Sequence, residues 1–194
     1  MNSKNKLPLI SGNLSLDLVN TEVVRNGIRY DLFTSVEDVT DWIRTLEEEK
    51  VLSPYQLRDK VDEWAKEALP ILREVRSFLR EGYERVADGK NLMDGWVSFF
   101  ETLIKKAPFT YSIQDNTLIP IPVGNPSAAI TSLIAYDALN LYTNNQLSYM
   151  HRCANPECVL LFIDTHGRRK WCSMKICGNR QKVTRHQQRK KEEI

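Results

Sequence analysis

Hydrophobic residues recur every three or four positions through most of the first 150 residues, a spacing that predicts amphipathic helices. One helix should start at Ser35, a typical N-cap residue with an acidic residue three positions later. A second start is predicted at Ser53-Pro54, with helical pattern from Tyr55 to about Ala87 that should break or kink near Pro70. Asn125-Pro126-Ser127 predicts the start of a late helix. The N-terminal region should therefore be largely helical.

The pattern changes after a further helical segment, Asn91 to Lys106, which Pro108 should end. Phe109–Ile113 and Leu118–Val123 are short apolar-rich runs on either side of Gln114–Thr117. Together they predict a β-hairpin with a four-residue loop. Two prolines in the second run cannot donate ladder hydrogen bonds, so that strand should lie at a sheet edge.

Three small polar residues, Asp17, Asn20 and Thr21, interrupt the apolar stretch LSLDLVNTEVV near the N-terminus. Such residues often cap or turn a helix, which is one interpretation. The other interpretation is that they line a pocket for a small molecule.

Four cysteines occur close together, and all of them follow residue 150. Their spacing is C-x4-C-x13-C-x4-C, and they are Cys153, Cys158, Cys172 and Cys177. Two thiolate pairs joined by a short connector match the tetrahedral geometry that Zn²⁺ requires. The spacing therefore predicts one structural zinc ion, which would supply the stability that so short a segment lacks.

Alternative roles for these cysteines remain open at this point. Disulfides need an oxidising compartment, and nothing in the sequence suggests export. A catalytic thiol would not need three companions, and four protein ligands leave no coordination position for a substrate. His151, His166 or His186 would replace a cysteine ligand only if one of the four were not used.

Short patterns between and after the cysteines predict how the two pairs are presented. Val159–Ile163 and Arg169–Trp171, separated by Gly167, predict a hairpin between the pairs. Ser173 should cap a helix whose first turn carries Cys177, where the helix dipole helps to stabilise a thiolate.

The charge of the chain is divided unevenly between its two parts. The net charge of +2 combines about −5 over residues 1–150 with about +7 over residues 151–194. A basic end on an acidic body predicts contact with a polyanion. DNA is the favoured partner, with Lys and Arg on its phosphates and Arg and Gln on its base edges, and RNA stays open as an alternative. The candidate contacts are Arg168, Arg169 and Lys170 on the predicted hairpin and Arg180, Lys182, Arg185 and Arg189 on a predicted helix. A solvated tail, or docking to a protein or membrane surface, would explain the same charges.

The segment LFIDTHGRRKWCSMKICGNRQK, with the preceding C-x4-C, resembles the CGNR zinc finger, named for the tetrapeptide that occurs here at residues 177–180. LSLDLVNT, followed by the helix that contains Trp42, resembles the ABATE domain that precedes this finger in bacterial proteins. The resemblance implies a stress-related transcription regulator with a DNA-binding finger. His166 departs from the serine that the family often has, and leaves the four cysteines unchanged.

These patterns predict an α+β, predominantly helical protein. Residues 1–148 would form a helical ABATE-like domain with a β-hairpin, and residues 149–194 a four-cysteine zinc module with a hairpin and a basic helix. The predicted function is transcription regulation, with the finger on DNA and the N-terminal domain sensing a small-molecule effector or forming a homodimer. The alternative is a zinc-stabilised adaptor that binds proteins. No enzyme, membrane span or exported location is predicted, because no nucleophile–base pair, long apolar run or signal peptide is found. A cytoplasmic protein is therefore expected.

Overall fold

A computed structural model of the protein describes residues 7–57 and 60–179. Its helices and strands are, from the N-terminus onward, α1 (Leu14–Val19), β1 (Glu22–Arg25), β2 (Ile28–Asp31), α2 (Val36–Glu48), α3 (Val61–Ala87), α4 (Trp96–Lys106), β3 (Phe109–Gln114), β4 (Thr117–Pro122), α5 (Pro126–Thr143), a 3₁₀ helix (Gln146–Tyr149), β5 (Met150–Arg152), β6 (Leu161–Ile163) and a π-helix (Met174–Gly178). The predominantly helical α+β fold class is confirmed. No helix in the described ranges is both long and apolar enough to cross a membrane.

The N-terminal helices form a body around one hydrophobic core. The long helix α3 packs against α1, α2 and α5, and α4 packs against α5. Large side chains fill this core, and the fully buried aromatic residues are Phe33, Trp42, Tyr83, Trp96 and Phe100. Three antiparallel hairpins, β1–β2, β3–β4 and β5–β6, lie beside the helices.

The helix starts agree with the sequence where a capping side chain is present. Ser35 caps α2, accepting a hydrogen bond from the Asp38 N–H while Asp38 accepts one from Ser35. Asn125 caps α5 by accepting from the Ser127 N–H, and Pro126 occupies the first helical position, as predicted.

The predicted start of α3 was wrong. The helix begins at Val61 rather than Tyr55, because Gln56 holds the preceding segment in a turn. The Gln56 side chain accepts from the Ser53 N–H at 2.9 Å and donates to the Pro120 carbonyl at 3.0 Å. The helix continues through Pro70, so the predicted break does not occur, and a kink at this proline stays a prediction. Pro70 is exposed, so the carbonyl that loses its partner can bond to water.

Other element bounds also differ from the prediction. Helix α4 begins at Trp96 instead of Asn91, after Gly95 with a left-handed φ of 78°. The β3–β4 loop contains two residues, Asp115 and Asn116, rather than four. Both have positive φ, as a tight hairpin turn requires. The β1–β2 hairpin, which turns at Asn26-Gly27, was not predicted.

The prediction that residues 159–163 pair with residues 169–171 in a hairpin was wrong about the second strand. Strand β6 pairs with β5, in a register that places Met150 opposite Ile163 and Arg152 opposite Leu161. Residues 169–171 do not pair with β6, because the chain turns around Asp164, which accepts hydrogen bonds from the His166 and Arg169 N–H groups. The Lys170 carbonyl instead accepts from the Ala154 N–H at 2.8 Å. The predicted domain boundary after residue 148 falls within the 3₁₀ helix and stays a prediction.

Candidate metal centre

The fold brings the four cysteine sulfurs into one cluster. Their Sγ atoms all lie within 4.8 Å of one another, and Cys158 Sγ is 3.9 Å from Cys172 Sγ. A tetrahedral site with Zn–S bonds of about 2.3 Å has sulfurs about 3.8 Å apart. Cys153, Cys172 and Cys177 are buried, and Cys158 is half-buried. The cluster therefore fits one zinc ion, as the spacing predicted.

Local turns present the first pair of ligands, Cys153 and Cys158. The Cys158 N–H donates to the Asn155 carbonyl at 2.9 Å, which closes the turn between them. The Glu157 N–H donates to the Asn155 side-chain oxygen at 3.2 Å. The Cys153 N–H then reaches the Leu160 carbonyl at 3.3 Å, so the turn is joined to the approach to β6.

The second pair, Cys172 and Cys177, is presented by the π-helix. Ser173 caps this helix by accepting from the Ile176 N–H at 3.1 Å, as predicted. The Cys177 N–H donates to the Ser173 carbonyl at 3.1 Å. Gly178 follows and is buried against Met174 and Trp171, where any larger side chain would collide with the Met174 thioether.

A backbone N–H group and a side-chain amide also lie within hydrogen-bonding distance of the sulfurs. The Cys172 N–H lies 3.4 Å from Cys153 Sγ, and Asn155 Nδ2 lies 3.5 Å from Cys177 Sγ. Hydrogen bonds of this kind favour the thiolate form that a metal requires. Asn155 is buried, and the sequence analysis missed it. The available signal was its place in the Asn-Pro turn inside the first C-x4-C.

The protonation of the cluster also points to a cation. Hydrogen bonds from the Cys158 and Cys172 thiols lower the pKa of Cys153 to about 2. The neighbouring Cys153 sulfur raises the pKa of Cys158 to about 12 and that of Cys172 further still. The close contact of the sulfurs therefore lowers the pKa of one thiol and raises the pKa of its neighbours. Several thiolates can coexist in this space only when a metal ion offsets their repulsion.

The alternatives for the cysteines do not match this geometry. A disulfide requires sulfurs about 2.05 Å apart, whereas all four thiols here are free. His151 and His166 are exposed and lie outside the cluster, and His186 lies outside the described residues. Four protein ligands form a closed, structural type of zinc site.

The module is attached to the body through strand β6, whose two faces have different surroundings. Leu161 belongs to the core of the body, whereas Leu160 and Phe162 pack with the cysteines. Alternate residues of a strand point to opposite faces, so one three-residue strand serves both regions. From the body, Ile10 and Val23 also pack against the cysteine cluster.

Polar side chains of the body fasten the module to it. The Asn20 side chain donates to the Leu161 carbonyl and accepts from the Leu161 N–H, both at 3.0 Å. Arg80 donates to the Val159 carbonyl at 3.1 Å, and Arg152 lies 2.6 Å from Asp88 in an ion pair. We call Asn20, Arg80 and the Arg152–Asp88 pair the clasp.

Arg80 is the most enclosed member of the clasp. Its side chain is 8% exposed and pairs with Glu22 at 2.6 Å and with Glu84 at 3.1 Å. It also donates to the Val19 carbonyl at the end of α1. Its charge is therefore compensated on several sides, and removing it would leave buried acceptors without donors.

Asp17, Asn20 and Thr21 are all buried in the body. Asp17 Oδ1 accepts from the Ile10 and Ser11 N–H groups, and Thr21 donates to the Leu18 carbonyl and accepts from Arg76. Burial raises the pKa of Asp17 to about 6. The contacts of these residues are internal to the protein, and the small-molecule pocket around them stays a prediction.

The predicted nucleic-acid contacts differ in how free their side chains are. Arg168 and Lys170 are exposed, and neither side chain has a partner among the residues that the structure describes. The Arg169 guanidinium instead lies over the Phe162 ring at 4.6 Å and donates to the Cys172 carbonyl. Lys175, which the sequence analysis did not select, is exposed on the π-helix. Arg180, Lys182, Arg185 and Arg189 lie outside the described residues.

A helical body carrying a closed four-cysteine module is the arrangement of a zinc-finger protein. Two family models match the chain: the CGNR zinc finger over residues 150–190, and ABATE, described as "Putative stress-induced transcription regulator", over residues 12–144. The chain belongs to the ABATE family and ends in a CGNR zinc finger. No curated protein gives a significant match.

Proposed function

We propose that this protein is a zinc-dependent transcription regulator whose CGNR module contacts DNA and whose body binds a ligand or dimerises. The observation that carries the proposal is that Arg168 and Lys170 are exposed, without a side-chain partner among the described residues, within a segment of net charge about +7. Both side chains are exposed beside a closed metal centre, where phosphates can reach them.

The role proposed for zinc is structural. We further propose that the protein is not an enzyme and that it acts in the cytoplasm. The four cysteines would occupy every position of a tetrahedral ion, so no position remains to activate water. Zinc would instead fix the connector that carries Arg168 and Lys170.

Salt-dependent binding to duplex DNA of random sequence tests the proposal. The zinc-loaded full chain should bind, and its affinity should fall steeply as salt rises. The double variant Arg168→Ala/Lys170→Ala should reduce the slope of log affinity against log salt by roughly 1–2, since each phosphate contact contributes about 0.9.

A matched control removes two equally exposed lysines from the body. The variant Lys105→Ala/Lys106→Ala, on α4, lowers the net charge by the same amount as Arg168→Ala/Lys170→Ala. It should leave the slope of log affinity against log salt unchanged. Equal losses in the two double variants would indicate attraction by overall charge and would contradict a contact surface on the module. If the zinc-loaded chain fails to bind DNA even at low salt, the protein-binding adaptor becomes the better hypothesis.

A further inference from the structure

An open cavity of about 710 Å³ lies on the body, away from the metal centre and from Asp17. Its walls are residues 90–95 of the α3–α4 loop, the beginning of α4, and the end of α5 with the 3₁₀ helix. Binding sites for small molecules typically measure about 300–1,000 Å³ and are lined by apolar and aromatic groups. This cavity has the size of a ligand site.

The floor of the cavity is rigid and aromatic. Trp96 is 1% exposed, and its indole lies against Gly82 of α3, where any larger side chain would collide with it. Tyr142 is 47% exposed and lies with its ring centroid 6.2 Å from that of Trp96. Leu92 and Met93 add apolar and polarisable surface from the loop. Flat aromatic molecules suit such a lining because ring faces and thioethers favour contact with other rings.

The polar groups that line the cavity make the binding of a strongly charged ligand unfavourable. Lys90 contributes one positive charge, while Asp94 and Glu101 contribute negative charges. Asn91 and Asn145 offer amides that can both donate and accept hydrogen bonds. A neutral molecule with one or two polar substituents would satisfy these groups without leaving a charge unpaired.

Two walls of the cavity are connected directly to the zinc module. Leu147 and Ser148 line the cavity within the 3₁₀ helix, which leads into β5 and then to Cys153. The α3–α4 loop begins at Asp88, the partner of Arg152 in the clasp. A ligand that orders these two segments would also order the attachment of β5.

We propose that this cavity binds a small, neutral, planar aromatic molecule, and that its occupancy is coupled to the zinc module through the 3₁₀ helix and the Arg152–Asp88 pair. The coupling rests on the proposed function, in which the body senses a ligand, and it assigns that sensing to this cavity. Binding itself does not depend on whether the module contacts DNA.

Fluorine NMR of the zinc-loaded full chain labelled with 5-fluorotryptophan tests binding without DNA. The probes are indole, 1-naphthol and quinoline, and Trp96→Phe assigns the resonance of interest. At least one probe should shift the Trp96 resonance in a saturable way and leave that of Trp42, buried elsewhere in the core, unchanged. If none of the three probes shifts the Trp96 resonance, the proposal is wrong.

Two cavity variants and one control make the binding test specific. Tyr142→Ala should weaken binding roughly two- to tenfold, the range expected for one aromatic contact. Ser98→Trp, at an exposed position on the rim, should place an indole in part of the cavity and strongly weaken binding. Tyr111→Ala removes a similarly exposed tyrosine from β3 and should have no effect. Equal affinity in Ser98→Trp and the wild type would place the probe elsewhere and overturn the proposal.

The coupling is measured by the rate of zinc transfer to a coloured chelator. A saturating probe should slow transfer severalfold in the wild type and have no effect on transfer in Ser98→Trp. Asp88→Asn should retain probe binding but lose the slowing, because the ion pair to Arg152 is weakened. A probe that binds without changing zinc transfer would refute the coupling. None of these results depends on DNA binding, so failure here is distinct from failure of the proposed function.

Discussion

The body and the zinc module are stabilised by different physical means. The core of the body contains large apolar side chains from helices α1–α5, including Trp42, Trp96 and Phe100. The buried cluster of the module has five residues within the described ranges, of which three are cysteines. Apolar burial can hold the body together, whereas the module depends on its metal and on the clasp. A segment with so small a hydrophobic core can keep a defined structure only when a bound metal or contacts with the body stabilise it.

Removal of the metal should have the largest effect and should separate the two regions. Zinc sites of this kind contribute an apparent ~10–16 kcal/mol near neutral pH. We expect Cys172→Ser to lose the one-to-one zinc content of the wild type. Residues 153–179 should then lose their structure, while α1–α5 stay folded. Zinc analysis and hydrogen exchange of the two regions would measure this. Wild type treated with a chelator is the control, and loss of the whole helical circular dichroism signal would contradict the expected independence of the body.

Truncation of one buried phenylalanine in each region should distinguish the stability of the body from that of the zinc module. Phe100 is buried in the body and Phe162 in the module. Phe100→Ala should lower the free energy of unfolding by about 3–5 kcal/mol, because it leaves a cavity in the main core. Phe162→Ala should mainly accelerate zinc loss and change the unfolding of α1–α5 much less. Urea unfolding followed by circular dichroism, with zinc transfer measured in parallel, checks both. The same loss of body stability in the two variants would argue against separate cores.

Weakening of the clasp should affect both regions together. Arg80→Ala leaves the carbonyls of Val19 and Val159 without this donor and removes one of the cationic partners of Glu22, which keeps its contact with Arg29. Loss of a buried charge partner typically costs about 3–5 kcal/mol, so we expect lower stability and faster zinc transfer. Arg44→Ala is the matched control, because Arg44 is an exposed helical arginine that pairs only with the exposed Asp41 among the described residues. Its expected effect is below about 1 kcal/mol. Unchanged zinc transfer in Arg80→Ala would show that the clasp does not support the module.

The smallest predicted effect is a pH dependence confined to the body. Burial raises the pKa of Asp17 from 3.8 to about 6, so the folded state binds its proton more tightly than the unfolded state. The stability contributed by Asp17 is therefore present below about pH 4 and is lost as the pH rises through about 6. Asp17→Asn keeps an oxygen acceptor for the Ile10 and Ser11 N–H groups and removes the buried charge.

Asp17→Asn should therefore gain stability relative to the wild type between pH 4 and pH 7.5, by on the order of 1–3 kcal/mol. Urea unfolding at several pH values measures the difference. Asp41→Asn, at an exposed position on α2, should show no comparable change. A difference that stays constant across this pH range would mean that Asp17 has a similar pKa in both states.

The sequence predicted features that depend on neighbouring residues. The caps at Ser35, Asn125 and Ser173 act within three residues, and the zinc ligands followed from spacing and thiol chemistry. The start of α3 was missed because Lys60, its N-cap residue, makes no side-chain cap hydrogen bond. Asn26-Gly27 is a strong hairpin signal, but its flanking strands are only half-buried or exposed and lack a clear apolar alternation.

Contacts between distant parts of the chain were not predictable in the same way. Strand β6 and the residues before it are held by Asn20 and Arg80, which lie 141 and 79 residues away from their partners. A local pattern cannot show that an arginine within α3 donates to a carbonyl beside the metal centre. The same reason explains why the cavity beside Trp96 could not be recognised, since its walls come from three separate segments.

The clasp also has a consequence for the order of biosynthesis. Asn20, Arg80 and Asp88 all precede the module in the chain, so the ribosome completes their part of the attachment surface first. Nascent domains generally fold as units from the N-terminus. The module can therefore dock on a body that has already folded, because Asn20, Arg80 and Asp88 belong to that body. We therefore expect metal loading to be a late step of maturation, since all four cysteines follow the body in the chain.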